Sequence, residues 1–484
     1  MSLLHHDARR EAFDFASHFR EDFYACLTRR GDTLFELTDA MLCENGPVTS
    51  PVDLTLLAEH RRGHGALYDA LNCGRIDADG LRKALAVLPQ PKAADNRLVL
   101  AVDVSHWLRP DAPCSPDRLF CHVYGRNGRS NDQFIPGWPY SFVAALETGR
   151  TSWCQLLDAV RLGPDDDVAE ATAAQVRRVV TDLIAGGQWE DGAPDILVVF
   201  DAGYDAPCMA YLLDGLPVEV LGRMRSDRVM RKPVPTPWIS PPQGGRPPKH
   251  GKEFRFAKPD TWGGPDAATV QVTDRYGTAQ AMAWDRIHPR LTTRSAWIDH
   301  EDELPIIEGT LIRLQVDHLP GGQEPLPVWL WPSRTDMTGE DVDLRWQAFL
   351  RRFDLEHTFR FAKQTLGWTR PKLRTPEAAD RWTWLVIAAH TQLRLTRDAA
   401  SDLRRPWEKP AEPARLSPAR VRRGVRNLRG RLHCPARTPK PSTPGPGRPL
   451  GSKNRRPATR YDVGKTNKRP ESIAERNQLK ARKP

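Results

Sequence analysis

Two aspartates stand where apolar strands break or end, and carboxylates in such places can hold metal ions. Asp103 interrupts the apolar run LVLAVDVS at residues 98–105, and Asp201 ends the apolar run in DILVVFDAGYD at residues 195–205. A carboxylate is costly to bury unless it is paired, protonated or bound to a metal. Taken alone, either aspartate is explained better as the cap of a turn or of a following helix.

A charged helix face is the third candidate for chemistry. The segment RWQAFLRRFDLEHTFRFAKQ at residues 345–364 predicts one continuous helix, because residues recur on one face at intervals of three and four. That face holds Phe349, Arg352, Glu356, Arg360 and Lys363. A solvated row of ion pairs is the alternative interpretation. The large apolar residues around the face favour a partly buried surface directed at an anionic ligand.

The elements before these residues begin with a predicted helical domain at residues 1–92. Residues 9–45 and 52–88 carry apolar residues at helical spacing, and Ser50 and Pro51 are start signals for the second stretch. Binding to DNA ends fits such a unit, and so does packing or dimerisation, because no recognition helix stands out.

Residues 95–400 predict a mixed α/β domain. Apolar runs and helical spacing give the order β-β-β-α-β-α-β, with strands at 98–105, 119–124 and 140–146, a helix at 167–186, a strand at 195–201, a helix at 206–214 and a strand at 218–225. A β-rich insertion follows at about 228–335, and helical spacing returns at 339–366 and 376–398.

The charge of the chain is unevenly distributed. The 484 residues carry a formal net charge of +10, but residues 401–484 hold 24 Lys and Arg against 6 Asp and Glu, a net charge of +18. The first 400 residues therefore carry −8. The last segment is rich in proline as well as basic, so we expect a disordered tail that attracts nucleic acid.

Other features argue against export and membrane insertion. The sequence has no run of 18 apolar residues, and its N-terminus lacks the apolar stretch of a signal peptide. Its eight cysteines form neither a Cys-x-x-Cys pair nor the close spacing of a disulfide framework, which makes a zinc site improbable. A reduced, cytoplasmic protein is expected.

The order and spacing of the candidates resemble a known family. Two strand aspartates, then an insertion, then a helix with the pattern F-x2-R-x3-E-x6-K, are similar to the DDE transposases of bacterial insertion sequences, whose helix carries Y-x2-R-x3-E-x6-K. The resemblance covers about residues 95–400 and implies an RNase H-like catalytic domain. It places Asp103, Asp201 and Glu356 on the three acidic positions and Arg352 and Lys363 on the basic ones, with Phe349 where the family has Tyr.

The resemblance implies metal-dependent cleavage at transposon ends and transfer of the freed 3′-OH to target DNA. Two divalent ions can activate the attacking oxygen and stabilise the leaving one, and Mg²⁺, with Mn²⁺ as an alternative, prefers carboxylate oxygens. Asp103 and Asp201 would be the shared ligands, and Glu356 would complete the second ion. Arg352, Arg360 and Lys363 would bind phosphates of the DNA. The partners implied are transposon ends, target DNA and further copies of the chain, as a homodimer or higher oligomer on nucleoid DNA.

The tail adds one short motif, and two other functions stay open. Gly447-Arg448-Pro449 resembles an AT-hook, whose arginine enters a narrow A·T minor groove, although general phosphate attraction explains the same residues more simply. A domesticated DNA-binding protein without catalysis would keep the fold and the tail. An RNase H-like nuclease would cut DNA without strand transfer.

Overall fold

The computed structural model describes residues 3–123, 132–149, 151–239, 244–294, 297–298, 300–319, 325–440, 449–452 and 456–464. No helix in these ranges is long and apolar enough to cross a membrane.

The described N-terminal residues form five helices where the sequence predicts two. They are α1 (Leu3–Ala25), α2 (Gly31–Cys43), α3 (Pro51–Leu54), α4 (His64–Cys73) and α5 (Ala78–Ala86). The first predicted stretch is interrupted between α1 and α2, where Arg30, the residue before α2, has a φ of 59° in the left-handed region. Ser50 caps α3 and accepts a hydrogen bond from Val52 N, with Pro51 in the first turn, as the sequence predicts.

A large mixed sheet lies at the centre of the described part of the chain. Its first strands are β1 (Val99–Leu108), β2 (Leu119–Val123), β3 (Gln133–Leu146), β4 (Cys154–Arg161), β5 (Ile196–Phe200) and β6 (Val218–Met224). β1, β5 and β6 are parallel neighbours, and β3 runs antiparallel between β1 and the pair β2 and β4. The helices α6 (Val168–Ala185) and α7 (Ala206–Leu212) connect the parallel strands. This architecture is consistent with the predicted RNase H-like mixed sheet.

Strand β4 is missing from the sequence prediction, which has three strands before the first connecting helix. Asp158 breaks its apolar pattern, and in the structure this fully buried carboxylate is paired with Arg82 at 2.7 Å and Arg178 at 2.8 Å. The two arginines come from distant segments, so the sequence around β4 does not reveal why the acid can be buried.

The segment predicted as a β-rich insertion extends the central sheet. It contains β7 (Val229–Arg231), β8 (Glu253–Arg255), β9 (Ala267–Thr273), β10 (Gly277–Ile287), β11 (Gly309–Val316) and β12 (Val328–Pro332). β12 pairs antiparallel with β6, and β11, β10 and β9 follow outward, while β7 and β8 form a separate small sheet. Together with β1–β6, the strands β9–β12 make the described sheet ten-stranded.

Three helices then pack on the sheet: α8 (Gly339–Arg351), α9 (Phe353–Gln364) and α10 (Pro376–Leu395). The prediction of one continuous helix over 339–366 is wrong at Arg352, where α8 ends and α9 begins. Arg352 N bonds to Phe349 O, and Leu355 N bonds to Arg352 O, so three-residue spacing replaces the four-residue spacing of an α-helix. α9 contacts β1, β3 and β4, and α10 lies between the N-terminal helices and β4.

Part of the predicted disordered tail is folded. The helix α11 (Pro418–Arg429) buries Val421, Val425 and Leu428, which recur at helical spacing, against α2 and α10. The buried Arg422 donates hydrogen bonds to Met41 O and Gly46 O. The expectation of disorder from residue 401 is therefore wrong for this segment, because an arginine-rich composition conceals a narrow apolar stripe.

Candidate active site

Two parallel strands place Asp103 and Asp201 side by side. Val102 of β1 pairs with Phe200 of β5, so the next residue on each chain segment is one of the two aspartates. Asp103 lies within β1 and pairs with Phe142 of β3, whereas Asp201 follows the last residue of β5. The carboxyl ends of parallel strands are the usual ligand-binding edge of an open α/β sheet.

The start of α9 adds Glu356 and Arg352 to the same edge. Arg352 Nη1 lies 3.0 Å from Asp103 Oδ2, and its Nη2 lies 3.4 Å from both Asp201 Oδ2 and Glu356 Oε1. One guanidinium thus contacts all three carboxylates that the sequence singles out. We call these four residues the carboxylate cluster.

The carboxylate cluster contains more acidic than basic groups. Burial raises the pKa of Asp103 to about 6, although the charge of Arg352 and a hydrogen bond from Val104 N at 2.8 Å lower it. The neighbouring acids Asp201 and Glu356 raise that pKa further. Among the described residues, Asp201 Oδ1 is buried without a hydrogen-bond partner. The arrangement favours the approach of further positive charge.

Arg352 is buried, which differs from the surface position that phosphate binding would require. Its side chain is 4% exposed, and its guanidinium carbon lies 5.8 Å from the ring centroid of Phe349 and 5.2 Å from that of Phe353. Phe349, at the position where the resembling family has Tyr, is itself buried and packs beside Arg352. In this structure the polar contacts of Arg352 are with acids, and a phosphate contact would need the side chain to turn.

The other predicted DNA-binding residues follow Glu356 along α9 or belong to the tail. Arg360 is exposed one turn beyond Glu356 on α9. Lys363 is half-buried, with Nζ 5.5 Å from the ring centroid of Trp368. Arg448 lies outside the described residues.

Sequence reasoning missed Arg223, which lies near the carboxylate cluster. Its Nη1 is 4.0 Å from Asp201 Oδ1, and its side chain is 47% exposed. The position follows from the pairing of Phe200 with Gly222 in β5 and β6. A basic residue near the end of a predicted parallel strand was the available signal. Gly222 also lets α7 approach, because a Cβ there would lie 2.3 Å from Ala206 Cβ.

Several other polar and aromatic residues have structural roles. Asp205 caps α7 by accepting a hydrogen bond from Cys208 N at 3.3 Å. His357 is exposed on α9, and burial lowers the pKa of His106 to about 4. Three tryptophans that could otherwise stack on bases are fully buried and pack in the core: Trp138, Trp153 and Trp368.

The three carboxylates are the ligand type that a hard divalent cation prefers, although their arrangement in this structure is that of ion pairs with Arg352. Within the described ranges, no group of three or more His, Cys, Asp or Glu side chains has the arrangement of a metal site. Asp103, Asp201 and Glu356 nevertheless offer only carboxylate oxygens, and Asp201 Oδ1 has no hydrogen-bond partner among the described residues. A cation that binds all three carboxylates must compete with Arg352 for their oxygens.

Comparison with known proteins identifies one family. A family model described as DDE superfamily endonuclease matches residues 22–290, more than half of the chain. The match includes Asp103 and Asp201, whereas Glu356 lies beyond it. No curated protein matches the chain.

Proposed function

The chain belongs to the DDE superfamily of endonucleases, and we propose that it is a transposase that cuts DNA at transposon ends and joins the freed 3′-OH to target DNA. The observation that carries this proposal is the convergence of Asp103, Asp201 and Glu356 on one guanidinium, where β5 ends beside the middle of β1. Endonucleases of this superfamily generally use divalent metal ions.

Asp103, Asp201 and Glu356 would hold the metal, which we propose to be two Mg²⁺ ions, with Mn²⁺ as an alternative. When bound, such ions activate the attacking oxygen and stabilise the leaving oxygen of a phosphodiester. Asp103 and Asp201 suit shared ligands because adjacent strands fix them at one level of the sheet. Glu356, 48% exposed at the start of α9, completes the donor set from the solvent side.

Arg352 has a positioning role in this proposal. Three carboxylates at one edge repel one another, and a shared guanidinium offsets that repulsion before metal binds. Arg352 reaches all three oxygens within 3.4 Å, so it holds the side chains close to the places where they are needed. Release of Arg352 from the acids would then free it for a phosphate of the bound DNA.

The DNA would lie across the exposed edge of the carboxylate cluster. Arg360 and Arg223 are exposed there and suit contacts with phosphates on either side of the cleaved bond, and Lys363 would add a third positive charge. We propose that the N-terminal helices assist at transposon ends, that Arg448 contacts the DNA from the tail, and that two or more copies assemble on nucleoid DNA.

The test is DNA cleavage and joining by the purified full chain with Mg²⁺. The substrate is a supercoiled plasmid that carries the DNA flanking the coding sequence of this chain, and the products are nicked and joined strands on a gel. Asp103→Asn, Asp201→Asn and Glu356→Gln should each reduce cleavage about 10³-fold, because a lost ligand removes several kcal/mol of transition-state stabilisation.

Glu340→Gln is the matched control, since it removes an exposed acid from α8, away from the contacts of the cluster, and it should leave cleavage unchanged. Cleavage retained by any of the three cluster variants would remove that residue from the ligand set. Nicked DNA without joined products would favour a nuclease that lacks strand transfer, and no cleavage by the parent chain would favour the non-catalytic DNA-binding alternative.

A further inference from the structure

The outer edge of β2 is occupied by a short segment of the C-terminal tail. Phe120 N donates to Gly464 O at 3.1 Å, and Gly464 N donates to Arg118 O at 2.7 Å, which forms a parallel bridge between Leu119 and Gly464. β2 is an edge strand of the sheet, so its outward-facing backbone N–H and C=O groups can pair with another segment. We call residues 461–464 the tail strand.

The loop before β2 is built around the same segment. Tyr461 N donates to Pro113 O at 2.9 Å, and Arg118 Nη2 donates to Tyr461 O at 3.2 Å. Arg118 is 3% exposed, and its other nitrogens donate to Ser115 O and Arg109 O, which fixes its direction. The direction of Arg118 is therefore set within its own loop, and its Nη2 is directed at the tail, whose Tyr461 O is its acceptor.

The tail strand also fits this edge by shape. A Cβ on Gly464 would lie 2.8 Å from Pro164 Cβ and 2.9 Å from Leu119 Cδ2, both closer than ordinary contact. Only glycine can therefore approach β2 at this position without displacing its neighbours. This contact therefore requires a glycine at the end of the tail strand. A basic tail that lay on the surface without a specific contact would not require one.

Docking places basic residues of the tail at the outer edge of the sheet that carries the carboxylate cluster. Arg456 and Arg460 precede the tail strand and are exposed. Leu119 and Leu108 both pair with Gly137 of β3, and Leu108 is five residues beyond Asp103 along β1. At about 3.3 Å per residue, the docked edge lies about 16 Å along the sheet from Asp103, within the reach of a DNA duplex that occupies the cluster.

We propose that the outer edge of β2 and the loop at residues 109–118 form a docking site for the tail strand of the same chain. Docking fixes Arg456 and Arg460 on the sheet edge, where they bind phosphates of the DNA. The DNA contact rests on the proposed function, whereas the docking site stands on the hydrogen bonds and the close approach of Gly464 alone.

The first experiment measures hydrogen exchange in the full chain without DNA. Gly464→Val should speed exchange of the Phe120 amide at least tenfold, because that amide loses its acceptor. Gly430→Val is the control, since nothing lies within 4 Å of a Cβ at Gly430. A synthetic peptide of residues 456–468 added to the Gly464→Val chain should restore protection, and the same peptide with Val at position 464 should not.

An unchanged Phe120 amide in Gly464→Val, or failure of the peptide to restore protection, would overturn the docking site. Protection in the parent chain that rises with protein concentration would overturn docking within one chain and indicate the tail of a second copy.

The second experiment measures binding of a fluorescent DNA duplex by anisotropy. Gly464→Val should weaken binding about tenfold relative to Gly430→Val, and Arg456→Gln with Arg460→Gln should do the same while Phe120 stays protected. Equal affinities would overturn the DNA contact and leave the docking site intact. Failure of the cleavage assay would not affect the exchange result, so the two proposals fail separately.

Discussion

Two charged clusters at opposite ends of the same parallel strands differ in how their charges are balanced. Near the amino end of β6, Glu219 is 3% exposed and bonds to Arg345 at 2.9 and 2.7 Å and to Arg97 at 2.6 Å. We call these three residues the Glu219 cluster. At the other end, where β5 ends beside the middle of β1, one arginine faces three acids at 3.0 to 3.4 Å, and one oxygen of Asp201 has no hydrogen-bond partner in the described structure.

The difference separates a structural ion pair from a site prepared for a ligand. In the Glu219 cluster both carboxylate oxygens are bonded, and although burial lowers the pKa of Arg345, its bonds to Glu219 raise that pKa above the usual value. In the carboxylate cluster burial raises the pKa of Asp103, so its charged form is poorly stabilised. In the carboxylate cluster the fold leaves an excess of acid that a cation could balance.

The largest effect expected from this comparison is on stability. Glu219→Gln should lower the free energy of unfolding by about 3–5 kcal/mol, because it removes the buried anion that Arg345 and Arg97 share. Glu356→Gln should change it by less than about 1 kcal/mol, since the carboxylate is half exposed and its ion pair is weak. Urea unfolding of both variants measures the contrast, and equal losses would contradict the distinction between the clusters.

The next effect is a pH dependence of stability that belongs to Asp103. Its raised pKa means that the folded state favours the protonated form of Asp103. The stabilisation that comes from protonating Asp103 is therefore present below pH 4 and is lost as pH rises through about 6. Asp103→Asn mimics the protonated form. Without divalent cations, the variant should match the parent near pH 4 and exceed its stability by about 3 kcal/mol at pH 7.

Thermal or urea unfolding across that pH range measures the difference between the two chains. Asp205→Asn provides the control, because Asp205 is the cap of α7 and its effect should not follow this pH window. A constant difference between Asp103→Asn and the parent from pH 4 to 7 would show that burial does not perturb Asp103.

The smallest effect concerns the competition between Arg352 and metal. Arg352→Met removes the cation that the carboxylates share, so Mg²⁺ should bind about fivefold more tightly, equivalent to about 1 kcal/mol for one unit charge at close range in water. Calorimetric titration with MgCl₂ measures the Kd directly. Arg352→Lys keeps the charge and should stay near the parent value, and equal Kd values for all three chains would contradict a competing role for Arg352.

Much of the fold follows from local sequence patterns. The apolar runs around Asp103 and before Asp201 predict strands β1 and β5, and the fully apolar run before Asp201 is typical of a buried central strand. Helical spacing predicts α6, α9 and α10, and the resemblance carried by the order of these elements agrees with the family match. Asp103 and Asp201 could be selected from sequence because a carboxylate is conspicuous in an apolar run, whereas Glu356 was selected from its spacing on a charged helix face.

The tertiary structure alone decided which partners these residues meet. It pairs the buried Asp158 with arginines that are distant in sequence, and it folds α11 within a basic tail. It also turns the side chain of Arg352 inward against two phenylalanine rings, whereas the sequence predicts that Arg352 binds phosphate. It also placed Arg223 beside Asp201. Periodicity determines which face of an element is apolar, but the direction of a charged side chain depends on the charges that the whole fold brings within a few ångströms of it.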